Sequence, residues 1–174
     1  MQALCATCSV GRTGLDNLWV AADGTDPTWQ EVKAAYWRNH AAMRKQVQDA
    51  SPTTDPAVYV PDPDFWAWEY VRELCGSGNR AALDRLVALA DSASDEEQLA
   101  YVGAGPIEDF VSGYGELLID DIEDAASRSP SFLRALQGMY PTEIPESVRV
   151  RMLPLVPASA RENRVREKLG RAPL

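Results

Sequence analysis

The sequence is poor in cysteine, in long apolar runs and in positive charge, and the first two shortages each exclude a class of protein. Its three cysteines are an odd and sparse set, unlike the dense disulfide framework of small secreted domains. No stretch approaches the roughly 20 consecutive apolar residues that a membrane-spanning helix requires. The first residues also lack the basic and apolar regions of an export signal. We therefore expect a cytoplasmic protein that does not bind membranes.

The shortage of positive charge predicts the kind of partner. The 26 acidic residues outnumber the 17 basic ones, and the formal net charge of -9 repels nucleic acid while attracting basic proteins. No Lys or Arg occurs from Leu86 to Ser127, whereas basic residues dominate from Val148 onward. We expect a protein partner with a basic surface and no nucleic acid.

Short helical patterns make up most of the chain. Apolar residues recur at three- and four-residue spacing, and Gly, Pro and capping residues separate one pattern from the next. This predicts an all-α, irregular multi-helix domain of short antiparallel helix pairs, with helical-repeat stacking as an open alternative. No helix is expected between Pro141 and Ala158. The predicted parts are a loosely ordered arm at 1–25, a single helical domain at 26–174 and, within it, a basic C-terminal helix at about 158–169.

Glycine and aromatic residues set the expected limits of the middle helices. The segment Phe65–Trp68 begins a helix that is apolar nearly all round, which predicts a position at the centre of the core. Gly113 and Gly115 are expected to divide the residues after Pro106 into two helices. The preceding Gly-Ala-Gly-Pro lacks the strand and third glycine of a dinucleotide-binding loop, so we expect a helix–helix turn that buries Ala104.

The string from Leu99 to Val111, L-A-Y-V-G-A-G-P-I-E-D-F-V, resembles the signature of a family of small bacterial proteins of uncharacterised function. In that family an L-G-A-G-P-L-E-D-L-like motif follows a Trp-containing segment and a helix, and precedes an acidic helix, an A-x-x-x-P-x-F segment and a closing helix. The resemblance covers about residues 60–150 and implies a helical fold and a bacterial cytoplasmic origin, but no activity. The corresponding segments here are Phe65–Trp68, Leu83–Ala90, Ile119–Ala126 and Ser129–Leu136.

Grouped carboxylates are the main candidates for a functional site. In a helix, Glu116, Asp120 and Asp124 share one face, where like charges destabilise by about a few tenths of a kcal/mol per pair. A divalent cation, the basic tail of the chain, a basic partner or solvent alone are the open explanations of how this face is accommodated. The predicted partner-binding acidic face consists of Glu108, Asp109, Glu116, Asp120, Glu123 and Asp124, and Asp121 lies in the same cluster.

The leading functional prediction is a non-enzymatic protein-interaction domain, an immunity-type or regulatory protein that binds a basic partner through its acidic helices. No catalytic set is recognisable and no cofactor is predicted, which favours the absence of enzymatic activity. One alternative is a metal-dependent hydrolytic enzyme that uses the carboxylates from Glu108 to Asp124. The other is a passive structural helical domain.

Two smaller sets of residues carry secondary predictions. Trp37 lies beside the apolar stripe of its helix and is the candidate for an aromatic binding surface. Cys5 and Cys8 form a C-x-x-C pair that only His40 and Cys75 could complete as a Cys₃His zinc set. We expect His40 to be a core or boundary histidine, Cys75 to be structural, and no metal to be bound.

Overall fold

The computed structural model describes residues 26–49, 62–139 and 144–155, and all regular structure within these ranges is helical. The prediction of an all-α multi-helix protein is confirmed. None of the described helices is both long and apolar enough to cross a membrane. The helices are α1 (Trp29–Asp49), α2 (Phe65–Gly76), α3 (Arg80–Ala90), α4 (Glu96–Val102), α5 (Glu108–Arg128), α6 (Pro130–Gly138) and α7 (Glu146–Met152), with a π-helical turn at Gly103–Ile107 and a 3₁₀ turn at Leu153–Leu155.

The chain divides into two compact units, one that ends at Tyr70 and one that begins at Val71. The predicted arm at 1–25 and the predicted C-terminal helix at about 158–169 lie outside the described residues. The assignment of residues 26–174 to a single domain stays a prediction.

In the first unit, α1 is an amphipathic helix with a well-defined start. The side chains of Thr28 and Glu31 satisfy each other's backbone N–H groups, which is the reciprocal arrangement of a capping box. Arg38 donates two hydrogen bonds of 2.8 Å to the carboxylate of Asp64, which ties the start of α2 to α1. The buried residues of α1 are Val32, Ala35, Tyr36, Asn39 and His40.

In the second unit, α6 packs against α3, α4 and α5 and so lies among the other helices. Its own buried side chains follow helical spacing after the Pro130 start. Each large apolar side chain that is buried in this way contributes about 1.5–3 kcal/mol relative to an exposed one. The largest fully buried side chains of this unit include Leu83, Leu86, Leu89, Phe110, Ile122, Phe132 and Leu136.

The π-helical turn and α6 approach each other at a crossing where both carry glycine. A Cβ atom at Gly103 would lie 2.1 Å from the carbonyl oxygen of Ala135, and a Cβ atom at Gly138 would lie 3.2 Å from the Cα atom of Ala100. Gly103 is buried, whereas Ala104 is exposed. The prediction that Ala104 is buried was therefore wrong by one residue, because only a residue without a side chain fits between the two backbones.

A single helix, α5, occupies the stretch in which the sequence predicts two. Gly113 and Gly115 both adopt helical conformation, although glycine in a helix interior costs about 0.5–1 kcal/mol relative to alanine. Gly115 is buried, and a Cβ atom there would lie 3.0 Å from Val148 Cγ1. This glycine therefore allows α7 to pack closely on α5 and does not end the helix.

The position predicted for α2 was also wrong, because only one face of the helix is buried. Its aromatic residues are half-buried, and the rings of Phe65 and Trp68 stack on each other with centroids 5.3 Å apart. Tryptophan is so large that it is seldom fully buried. An apolar composition therefore did not require burial on every side. The buried residues of α2 are Ala67, Val71 and Cys75.

Candidate functional site

Five carboxylates between residues 116 and 124 of α5 form a group that we call the α5 carboxylate cluster. The helical rise of about 1.5 Å per residue places Asp109 about 16 Å before Asp120 along the axis. Glu108 and Asp109 occupy the first turn of α5, where their charges complement the helix dipole. The structure therefore brings together only part of the predicted acidic face. The cluster consists of Glu116, Asp120, Asp121, Glu123 and Asp124.

Two arginines of the chain itself bind one side of this cluster. Arg80, at the start of α3, lies 2.6 Å from Asp121 and 4.0 Å from Asp124 through its guanidinium nitrogens. Arg128, in the last turn of α5, lies 2.9 Å from the same Asp124 carboxylate. Both arginines were missed as site residues in the sequence, although the spacing of Asp124 and Arg128 is that of an i, i+4 pair.

The other side of the cluster is bound by α7. The guanidinium of Arg151 lies 2.7 Å from Asp120, and its Nε donates a 2.9 Å hydrogen bond to Glu123, while a second nitrogen reaches the other Glu123 oxygen. The hydrogen bonds to Glu123 and then to Asp120 raise the pKa of Arg151 above its ordinary value. The hydroxyl of Ser147 donates to Glu116 at 2.6 Å. Every carboxylate of the cluster thus has a partner within the chain.

These contacts offset the repulsion that the spacing of the carboxylates predicts, but they leave the cluster negative. Three guanidinium groups face five carboxylates, which leaves two negative charges in excess. The side chain of Asp120 is 89% exposed, so its contact with Arg151 is open to water and to ions. Exposed pairs of this kind contribute little stability and are weakened by salt. The cluster is therefore accessible to other cations.

The described part of the chain contains no preformed metal-binding site. Within residues 26–49, 62–139 and 144–155, no three His, Cys, Asp or Glu side chains are placed to share a metal ion. Of the carboxylates on which the hydrolytic alternative depends, those of the α5 carboxylate cluster are engaged by arginine and serine. The described residues thus offer no set of ligands for the metal-dependent alternative.

The described members of the predicted zinc set, His40 and Cys75, do not lie in a metal site. Cys5 and Cys8 lie outside the described residues. The thiol of Cys75 donates a 3.2 Å hydrogen bond to the carbonyl of Pro106. Burial, with a smaller effect from the charge of Asp109, raises the pKa of Cys75 to about 12. Cys75 is thus a buried thiol whose hydrogen bond goes to the backbone before α5.

The aromatic candidate Trp37 lies within a group of packed rings on α1. It is half-buried, and its ring meets Tyr36 edge-on at a centroid distance of 5.2 Å and His40 at 6.1 Å. His40 is buried, as the sequence predicts. The neighbouring Asn39 is also buried, and its Nδ2 has no hydrogen-bond partner among the described residues. The assignment of Trp37 to a binding surface stays a prediction.

Comparison with known proteins adds one finding to this geometry. The sequence model of a family of unknown function (DUF6869) matches residues 56–159, which include α2 to α7 and the whole α5 carboxylate cluster. No curated protein and no solved structure matches the chain. An uncharacterised family is what the string from Leu99 to Val111 predicts, and the bacterial origin stays a prediction.

Proposed function

The chain belongs to a family of proteins of unknown function (DUF6869), and from its own residues we propose that it is a non-enzymatic interaction domain, an immunity-type or regulatory protein that binds a basic partner. The binding surface is the α5 carboxylate cluster. Family membership supplies no activity, so the proposal depends on what the cluster can hold.

The observation that supports the proposal is that arginines from three places in the fold bind the cluster. They come from the start of α3, the end of α5 and from α7, and two of them each contact two carboxylates. Side-on pairing of a guanidinium with carboxylates has strict geometry, and lysine does not reproduce it. A surface that accepts three guanidinium groups and remains negative has the spacing and the charge to accept those of a partner.

Charge of this kind determines the rate and specificity of association more than its final affinity. Because the contacts are exposed, we expect the complex to form faster and bind more tightly at low salt than at high salt. A bacterial partner with clustered arginines on a helix or a strand fits this surface.

The test is affinity purification of the tagged full chain from its native host at moderate salt, with mass spectrometry as the readout. The test variant is Glu116→Gln/Asp120→Asn/Asp124→Asn. The control variant is Glu73→Gln/Asp84→Asn/Glu97→Gln, which makes the same change in net charge on α2, α3 and α4.

We expect the wild type and the control to retain a basic partner that the test variant loses. With purified partner, the test variant should bind at least about tenfold more weakly at low salt, equivalent to about 1.4 kcal/mol. Equal retention by both variants contradicts the proposal. Retention of no partner by the wild type favours the passive structural domain.

A further inference from the structure

The last described α-helix, α7, packs on α5 in the manner of a bound peptide. Its buried residues have the i, i+4, i+8 spacing with which amphipathic helices bind apolar grooves. Val148, the middle one, fits against Gly115, where a Cβ atom would lie 3.0 Å from it. The three buried residues are Ile144, which precedes the helix, Val148 and Met152.

Polar contacts run beside this apolar row and fix the register of α7 on α5. Ser147 bonds to Glu116, and four residues later Arg151 contacts both Asp120 and Glu123. The partners advance along both helices together, so α7 points in the same direction as α5. One edge of α7 thus uses part of the α5 carboxylate cluster while its buried face fills the groove at Gly115.

We propose that this groove is the docking site for the partner and that α7 occupies it in cis. The matching partner segment is a basic amphipathic helix with apolar residues at i, i+4 and i+8 and an arginine at i+7, the pattern of Ile144, Val148, Met152 and Arg151. This inference rests on the proposed function and adds to it the form of the partner and a competition that regulates its binding.

The properties of α7 are those of a segment that can be exchanged. A seven-residue helix is too short to be stable alone, so its helical form depends on the groove. Its ion pairs with the cluster are exposed, and Val150 on its outer side is 54% exposed. A covalently attached occupant competes at a high effective concentration. The apparent affinity for a partner therefore falls by the fraction of molecules in which the groove is open.

The experiment measures binding of a fluorescently labelled peptide with the sequence of residues 144–155 to the full chain. Three proteins are compared, namely the wild type, Val148→Asp, and Val148→Asp combined with Glu116→Gln/Asp120→Asn/Glu123→Gln. A charged side chain in the notch at Gly115 displaces α7 from the groove. We expect Val148→Asp to bind the peptide at least about tenfold more tightly than the wild type, and neutralisation of the carboxylates to abolish this gain.

Circular dichroism checks that Val148→Asp retains the other helices. If it does not, Val148→Ala replaces it, with a gain in peptide affinity of about threefold expected from partial release. Equal peptide affinity of the wild type and a folded release variant overturns the inference, and so does the absence of binding to both.

The partner from the affinity purification separates this inference from the proposed function. A partner that requires the carboxylates but binds wild type and Val148→Asp equally leaves the proposed function standing and overturns the competition by α7. The opposite result is peptide binding as expected together with a partner whose binding is unchanged by neutralisation of the cluster. That result overturns the proposed function and supports the groove as the binding site of α7.

Discussion

Replacement of Gly103 by alanine tests the close packing of the π-helical turn against α6. The new Cβ atom would lie 2.1 Å from the carbonyl oxygen of Ala135. Neither group can rotate away, because the oxygen belongs to the backbone of α6, so the two segments must separate. Overpacking of this severity costs about 3 kcal/mol. Gly103 has helical dihedral angles of φ -65° and ψ -51°, so alanine returns about 1 kcal/mol through helix propensity.

The expected net effect is a loss of about 2 kcal/mol, or a decrease in Tm of about 4–8 °C for a chain of this length. The assay is urea unfolding followed by circular dichroism. Tryptophan fluorescence is unsuitable because all five tryptophans precede Val71 and report on the first unit.

Gly113→Ala is the matched control, since that glycine lies inside α5 and no neighbouring atom comes within 4 Å of the position that a Cβ would take. It should stabilise the protein by about 0.5–1 kcal/mol. The reasoning is refuted if Gly103→Ala is as stable as the wild type, or if the two variants shift stability in the same direction.

Two further residues give predictions for chemistry and capping. In a Cys5→Ser/Cys8→Ser background, Cys75 should resist iodoacetamide in the native protein and react only in denaturant; rapid labelling of folded protein would contradict its burial. Because folding raises the pKa of Cys75 from 9.0 to about 12, the neutral thiol favours the fold below pH 9, and this contribution is lost as the pH rises towards 12. Urea unfolding should show a steeper loss of stability over that range for the wild type than for Cys75→Ala. Ser129→Ala removes the acceptor for an N–H of the first turn of α6 and a 2.6 Å hydrogen bond to Asp91, at a cost of about 1–2 kcal/mol by the same assay, whereas Ser129→Thr should retain most of the stability.

Helices with their own end signals could be predicted from the sequence, and those that depend on a neighbour could not. Asn79 and Ser129 cap α3 and α6 as their side chains predict, because capping involves only the next three residues. For α7 no helix is predicted, since the alternation in S-V-R-V-R is equally typical of a strand. Its helical form depends on packing against α5, whose residues are distant in sequence.

The residues of the candidate site also separate into those that local sequence predicts and those that depend on tertiary contacts. Helical spacing alone places Glu116, Asp120 and Asp124 on one face, so this part of the cluster could be predicted. The approach of Arg80 could not, because it reaches the cluster through tertiary packing, whereas Arg151 lies in the basic stretch from Val148 onward, which is one of the explanations that the sequence leaves open. Tertiary packing also explains why Gly115, which the sequence predicts to end a helix, lies inside α5 in the structure. Without Val148 beside it, a glycine in an apolar pattern indicates a helix end.

The π-helical turn makes the number of residues between α4 and α5 as important as their identity. The N–H of Glu108 donates to the carbonyl of Gly103, five residues back, and Gly105 between them has the non-helical angles φ -126° and ψ -107°, so the chain is kinked between the two helices. Each helical residue rotates the chain by about 100°. Deletion of one residue from 103–107 would therefore turn α5 about its axis and carry its carboxylates away from Arg80 and α7. Substitution at the exposed Ala104 is compatible with this geometry, whereas a change of length here would reorient the whole acidic helix.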